Sequence, residues 1–557
     1  MKRNTQIFLI SLFSVSLLCI ILLLRPAGAD EQDYYLKLKK SWLYMQKVYE
    51  DLNQHYVEEV DPYPLIKAGI DGMLEKLDPY TVFIEDEADR RIQMITTGKY
   101  GGLGMEIGLR NKKVTVISPI DNSPAQKMGV LAGDIIEKIN GEDISNISVD
   151  EVSRKLRGQV GTEVNLTLSR EGNSEPYEIT LTRAEITIED VGYAGFIQPG
   201  IGYVSLNGFT DKAPSELQAA IKKLQDEHEI RAFVLDLRGN PGGLLESAVD
   251  VVNIFVDKNE LVVFTKGFRE KEAKFYTRYK PLLPDVPLAV LVDEGSASAS
   301  EIVAGALQDL DRAVIVGEPT FGKGLVQKVF PIDKNEDVKL KITTARYYVP
   351  SGRCIQKRDY GNGNDIVIRD SLEQDDSVHE FYTRNKRKVL DKGGIYPDIE
   401  VPGDSLNQVV IELIRKSMFF DFAVKFHNAH PEWDGFTVLP DSLPVLFKDY
   451  TNQRNFTFES DGIKEVKRLQ NLADQKGYSA NVQKLIAELN TSLKNEKADD
   501  WVENSDAIAR VLRLELAEKY IGEKESDRLA LEYDTQAGEA VKVLKNDSKY
   551  VKILAIK

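Results

Sequence analysis

Residues 232–243 read Ala232-Phe233-Val234-Leu235-Asp236-Leu237-Arg238-Gly239-Asn240-Pro241-Gly242-Gly243. A compact apolar run of strand length ends at an acid. A turn with three glycines and a proline follows, and helically spaced apolar residues run from Leu244 to Phe255. The same grammar recurs downstream. Leu288 to Val292 is strand-like, Asp293 to Ser298 is a turn, and Ser300 to Leu310 has helical spacing. Ala313 to Val316 then leads into Gly317-Glu318-Pro319-Thr320-Phe321-Gly322-Lys323-Gly324. With Ile201 to Leu206 in front, this alternation predicts a mainly parallel α/β sheet with crossover helices over about 201–342. Turns that follow parallel strands share one edge of the sheet, where ligand sites form.

The rest of the chain is arranged around that core. Its 557 residues are enough for three to five domains. An apolar fraction of 42% and a charged fraction of 29% exclude wholesale disorder and a polytopic membrane protein. With 72 basic against 88 acidic side chains the net charge is −16, which argues against broad binding to nucleic acid. The two cysteines, Cys19 and Cys354, permit no disulfide framework and no cysteine-based metal cluster.

Lys2 and Arg3 precede an uncharged run to Leu24, and Ala27-Gly28-Ala29 follows. Residues 1–29 therefore read as a signal peptide or as a retained membrane anchor, because the run is also long enough to span a bilayer. Residues 30–97 are expected to be helical. Tyr35, Leu38, Trp42, Met45, Val48 and Leu52 form one stripe suited to packing or to a homo-oligomer. Residues 188–403 hold the α/β core, and 404–557 form a mostly helical extension with no glycine-rich loop and no cluster of reactive side chains.

From Gly98 the texture changes to short strands and turns, with Asn140-Gly141 the clearest hairpin signal. Gly101-Gly102-Leu103-Gly104-Met105 is a loop whose backbone N–H groups can converge on a carboxylate, and the strand edge after it can accept a peptide. With Ser123-Pro124-Ala125, Gly129 to Ile136 and Ile139-Asn140-Gly141, the stretch 98–187 resembles a PDZ domain of the circularly permuted bacterial type. That resemblance implies binding of free polypeptide carboxyl ends, with Gly102, Leu103, Gly104 and Met105 as the carboxylate loop.

Ser296, Ser298 and Ser300 alternate with alanines at a predicted helix start, where a cap needs only one hydroxyl. A nucleophilic serine needs a base and oxyanion donors, and Ala299 and Gly243 each offer a backbone N–H at a strand–helix turn. None of the histidines, His55, His228, His379, His427 and His430, falls in a glycine-rich turn, so a Ser-His-Asp triad is disfavoured. Lys323 is the alternative base. It must lose its proton well below the ordinary lysine value of about 10.4, and Phe321, Leu325 and Val326 offer an apolar setting for that. Gly317 to Lys323 also fits a phosphate loop. Gly324 stands where the magnesium-binding hydroxyl belongs, however, and Leu325 to Pro331 reads as a strand rather than the required helix.

Ser296-Ala297-Ser298-Ala299-Ser300-Glu301, followed by Phe321-Gly322-Lys323-Gly324-Leu325-Val326-Gln327, is similar to the signature of the carboxyl-terminal processing, or tail-specific, proteases; Lys323 follows Ser298 by 25 residues. Leu74 to Tyr80 and Gly393 to Asp398 resemble further segments of that family, so the resemblance covers about residues 35–403. It implies that Ser298 is the nucleophile, Lys323 its general base and Gln327 the residue that positions the lysine. Gly243 and Ala299 would form the oxyanion hole, with Gly242 close enough to leave the choice of glycine open. Glu301 matches an acidic position implicated in the family, and a carboxylate at a helix N-terminus explains it equally well. The implied whole is a multidomain α/β protein: a protease core with an inserted PDZ-like α+β domain, an N-terminal helical segment and a C-terminal helical extension. It would be an exported serine endopeptidase of the cell envelope or periplasm that cuts flexible polypeptides with accessible carboxyl ends. It needs no metal or cofactor, and its PDZ domain would gate the site. A non-catalytic peptide-binding scaffold is the rival reading.

Overall fold

The computed structural model describes residues 29–85, 94–333, 338–357, 380–391, 393–435, 439–440, 442–458, 461–496 and 500–556. Residues 1–28, which carry the expected signal peptide or anchor, lie outside the described residues. Among the described residues no helix is long and apolar enough to cross a membrane. The chain forms two compact units divided between Phe83 and Ile84.

The first unit contains the helices Ala29–His55 and Pro62–Leu74. The second starts at a proline with the Asp61 carboxylate accepting from Tyr63 N at 3.1 Å, which satisfies a donor that the helix leaves open. Tyr49 Oη donates to Pro62 O at 3.1 Å and joins the two helices. Leu38, Trp42, Val48 and Leu52 of the expected stripe are exposed.

In the second unit the PDZ sheet runs in the order Met105–Arg110, Lys113–Pro119, Ile135–Ile139, Glu163–Ser169, Tyr177–Thr182, with every pair antiparallel. Strict alternation made its strands legible: Val164, Leu166 and Leu168 are fully buried while their neighbours are not. Asn140 and Gly141 both take positive φ, 51° and 81°, as a tight hairpin between right-twisted strands requires. The helix Val149–Leu156 is capped by Ser148 and buries Val152 and Leu156 against this sheet. Met105–Arg110 is an edge strand, paired on one side only.

The central sheet has the order Val191–Gln198, Ile201–Leu206, Ala232–Asp236, Leu288–Val292, Val314–Gly317, Ile399–Glu400. Its first pair is antiparallel and the rest are parallel. Every residue of Ala232–Asp236 and Leu288–Val292 is buried, because both faces of the sheet are covered. On one face Val204, Leu235, Val290 and Ile315 meet the helices Ala213–Glu227, Leu245–Val252 and Ala299–Asp309. On the other, Tyr203, Val234, Leu291 and Val316 meet Ala537, Ala540, Val541, Leu544 and Tyr550. The end of the chain, the helices Thr535–Leu544 and Asp547–Ile553, thus forms the second layer of the α/β core.

A second antiparallel sheet includes Leu261–Lys266, Ala273–Tyr276, Leu325–Asp333 and Val338–Tyr348. The helices Gln408–Arg415, Met418–Ala429, Ser442–Gln453 and Ser505–Ile521 enclose an aromatic cluster in which Phe419 stacks on Phe447 at 4.6 Å. This helical domain also touches the PDZ sheet. Asn111 Nδ2 donates to Asp421 Oδ2 at 2.9 Å, the Arg110 guanidinium lies over the Phe420 ring, and Gly133 abuts Val424.

Candidate active site

The parallel register brings three turns to one edge. Asp236 pairs with Leu291 and Val292 with Gly317, so the chain leaves all three strands at the same level. Each turn then holds the next. Gly239 N donates to Asp293 Oδ1 at 2.8 Å and Ala297 N to Asn240 O at 3.0 Å. Phe321 N in turn donates to Ser296 O at 3.0 Å.

Two of the three alternating serines are used for this stitching. Ser296 Oγ donates to Leu237 O at 2.8 Å and Ser300 Oγ to Asn240 O at 2.9 Å, and both serines are fully buried. Ser298 is different. It is half-buried at the start of Ala299–Asp309, with φ 56° and ψ −110°. A residue with a Cβ rarely adopts that conformation, which costs about 1–3 kcal/mol and persists only where the surroundings over-determine it.

Glu301 and Tyr347 supply that constraint. The Glu301 carboxylate is fully buried and accepts four hydrogen bonds, two on each oxygen. Oε1 takes Thr320 Oγ1 at 2.6 Å and Gly322 N at 2.7 Å, while Oε2 takes Lys323 N at 2.8 Å and Ser298 N at 2.9 Å. Burial pushes the pKa of this carboxyl up and the four donors pull it down. On the other side the buried Tyr347 hydroxyl is in hydrogen-bonding contact with Ser298 O, at 3.0 Å, and with Lys323 O. Ser298 and Lys323 are therefore tied together through both their amides and their carbonyls.

Lys323 lies in the turn before Leu325–Asp333, which is a strand, as its apolar spacing predicted, and not the helix of a phosphate loop. Its side chain is half-buried, and burial, helped by the like charge of Lys341, holds the ammonium pKa below the ordinary lysine value; Glu301 opposes this. Of the three apolar neighbours expected to bury it, Leu325 is buried and Val326 half-buried, while Phe321 is 51% exposed. The Gln327 side-chain nitrogen donates within its own hairpin, to Leu325 O at 3.3 Å and Thr343 Oγ1 at 3.4 Å.

The glycines of the first turn face different neighbours. A Cβ on Gly242 (φ 96°) would sit 2.8 Å from both Ser298 Cβ and Ala299 N, so only glycine lets the turn close on the serine. Its N–H is already donated to Asn240 Oδ1 at 2.9 Å. Gly243 lies against Phe209, bridging to it in parallel. Ala299 is the first residue of its helix, so its N–H has no acceptor four residues back within the helix.

Three described histidines of the second unit pack among aromatic side chains. His228 packs edge-on against Phe196, while His427 and His430 join the aromatic cluster around Tyr520 and Phe426; His379 lies outside the described residues. In the PDZ loop Leu103 is buried, and its carbonyl accepts from Ala125 N at 2.9 Å. Gly104, at φ 73°, accepts from Ser123 Oγ at 2.8 Å; a Cβ there would meet Ser123 Cβ at 2.2 Å. Gly102 is buried, and Met105 opens the edge strand.

The sequence reading missed Tyr347, Asn240 and Thr320. Asn240 stands inside the quoted glycine turn, but Tyr347 carries no local signal, being one more residue of a long strand.

The profile of Peptidase family S41 matches residues 200–368, and that of PDZ domains matches 115–170. A profile described as the C-terminal helical domain of a probable PDZ-protease matches 409–544, and one for the N-terminal domain of the activating protease CtpB matches 27–88. The carboxy-terminal-processing protease of Bartonella bacilliformis is 41% identical over 349 residues, 62% of this chain and 78% of that protein. A probable CtpA-like serine protease of Staphylococcus saprophyticus is 35% identical over 62% of this chain and 67% of its own length. Among solved structures, the photosystem II D1 C-terminal processing protease is 29% identical, with 65% of this chain and 86% of that one covered and a TM-score of 0.37.

Proposed function

The chain belongs to the carboxy-terminal-processing serine proteases of peptidase family S41, and on that premise we propose that it cuts exported polypeptides with a Ser298–Lys323 dyad. The neutral Lys323 amine takes the Ser298 hydroxyl proton as Oγ attacks the scissile carbonyl, and returns it to the departing amine. A water then repeats the sequence on the acyl-enzyme. The N–H groups of Gly243 and Ala299 stabilise the oxyanion; Gly243 is favoured over Gly242, whose N–H is engaged by Asn240. The observation that carries this reading is the double tie of Glu301 and Tyr347 between Ser298 and Lys323. Gln327 would steady the lysine from the adjoining strand. Export rests on the basic start and apolar run of residues 2–24.

The test is the pH dependence of kcat/KM on an unstructured reporter peptide. Only the uncharged amine accepts a proton, so the rate rises with pH through the Lys323 pKa, at a pH below the ordinary lysine range. Removing the like charge with Lys341→Met is expected to move that inflection upward. An inflection unmoved by Lys341→Met but abolished by replacing one histidine would overturn the dyad.

The PDZ domain is proposed to take the substrate's carboxyl end at the loop Gly102, Leu103, Gly104 and Met105, with the peptide added to the free edge of Met105–Arg110. Hydrogen bonds to a charged group contribute about 1.5–3 kcal/mol each. Amidating that end should therefore lower kcat/KM by about ten-fold or more. Equal processing of free and amidated forms of one peptide would count against recognition of the end.

A further inference from the structure

The glycine turn that closes on Ser298 does not stand by itself. Gly239, Gly242 and Gly243 have positive φ of 66°, 96° and 159°, and a turn so rich in glycine has little stiffness of its own. It begins at Arg238, whose guanidinium lies between two carboxylates. One belongs to Asp236, at the end of the preceding strand, with contacts of 2.5 and 3.0 Å. The other belongs to Asp534, with Arg238 Nη1 donating to Oδ1 at 3.1 Å and Nη2 to Oδ2 at 2.5 Å. Arg238 Nη1 also donates to Gln536 Oε1 at 2.9 Å. The far side is fixed in turn. Tyr203 Oη donates to Asp236 Oδ2 at 2.6 Å, Gln536 Nε2 donates to Val401 O at 2.8 Å, and Asp534 caps its helix by accepting from Ala537 N at 2.9 Å. Asp236 and Gln536 are buried, and the side chains of Arg238 and Asp534 are only 21% and 17% exposed.

We infer that Asp534, assisted by Gln536, is a positioning residue for peptide-bond cleavage: through Arg238 it fixes the turn that presents the Gly243 N–H to the oxyanion. The inference rests on the dyad reading above and extends it to the last helices of the chain. Two features separate this from ordinary packing. The paired, fork-shaped contact constrains the direction of the Arg238 side chain as well as its distance. It also acts on the residue just before the first glycine, where an anchor fixes the entry to the turn. Loss of Asp534 leaves Arg238 paired with Asp236, so no charge is stranded and the sheet keeps its layers.

Asp534→Ser and Asp534→Asn divide the two duties of the residue. Both side chains cap a helix well, but serine is too short to reach the guanidinium, while asparagine keeps one acceptor for it. Full-length protein is assayed for kcat and KM on an unstructured reporter, for inhibition by a peptide aldehyde whose serine adduct carries the oxyanion, and for melting temperature. Asp534→Ser is expected to lower kcat about ten-fold or more with KM within about two-fold, and to weaken the aldehyde in parallel. Asp534→Asn should recover part of both at a similar melting temperature. Wild-type kcat and aldehyde affinity in Asp534→Ser overturn the inference, as do losses in the two variants that follow melting temperature rather than the contacts kept to Arg238. Ser298→Ala, run beside them, separates the two claims: if it retains turnover, the nucleophile assignment falls and not the tether.

Discussion

Ser298→Ala is expected to lower kcat on an unstructured reporter about 10⁴-fold or more, Lys323→Ala by a similar factor, and the double variant no further. The lack of additivity is the informative part. A serine hydroxyl without a base is a poor nucleophile, and a neutral amine without the hydroxyl has no proton to take. Removing either member therefore removes the whole pathway, and what remains is the help that oxyanion donors and binding give to water. Two losses that multiply in the double variant would mean that the groups act separately. Turnover at the wild-type rate in Ser298→Ala would leave the fold without its assigned chemistry and favour the peptide-binding scaffold. The variants are clean because the contacts that fix this segment use the Ser298 amide and carbonyl, which alanine keeps. Melting temperature and peptide binding by the PDZ domain should therefore stay near wild type.

How much of this was legible in the sequence depends on the range of the interactions. The parallel sheet was, since a strand buried on both faces is an unbroken apolar run, and Leu288–Val292 is one. The PDZ strands were too, because alternation and the Asn140-Gly141 turn are local. The nucleophile among three serines was chosen by resemblance alone. What distinguishes them physically is where Ser296 and Ser300 send their hydroxyls, to Leu237 O and Asn240 O about sixty residues away. Tyr347 and Asp534 were invisible for the same reason. Their contacts cross long stretches of chain: Tyr347 meets Ser298 O 49 residues away, and Asp534 meets Arg238 296 residues away. Glu301 was ambiguous because a helix-start carboxylate looks the same whether it caps, clamps or exchanges protons.

The four hydrogen bonds on Glu301 support the role of a clamp, and its variants give the second large effect. Each carboxylate oxygen accepts two bonds, so every lone-pair direction is used and no donor is shared with solvent. Glu301→Ala deletes both acceptor oxygens and so all four hydrogen bonds, and each orphaned buried donor costs about 1–3 kcal/mol. Ser298 would also lose the amide contact that sustains its unfavourable φ. The expected result is a loss of several kcal/mol in stability, with activity falling close to that of Ser298→Ala. Glu301→Gln keeps the shape but turns one oxygen into a donor. The amide nitrogen fits best at the Oε1 side, where the Thr320 hydroxyl oxygen, which already accepts from Ile395 N, can also accept it; Gly322 N, the second amide hydrogen and the Thr320 hydroxyl hydrogen are then left without an acceptor, at about 1–3 kcal/mol each. That orientation preserves the Oε2 contacts to Ser298 N and Lys323 N, so Glu301→Gln should retain measurable kcat; with the negative charge that raises the Lys323 pKa gone, the inflection of kcat/KM moves to lower pH. A proton-exchanging carboxyl predicts the reverse: a stable Glu301→Gln protein, nearly inactive, with one limb of its pH profile missing. Urea denaturation beside the pH–rate profile decides between them, because only a clamp makes the loss of rate and the loss of stability rise together from glutamine to alanine.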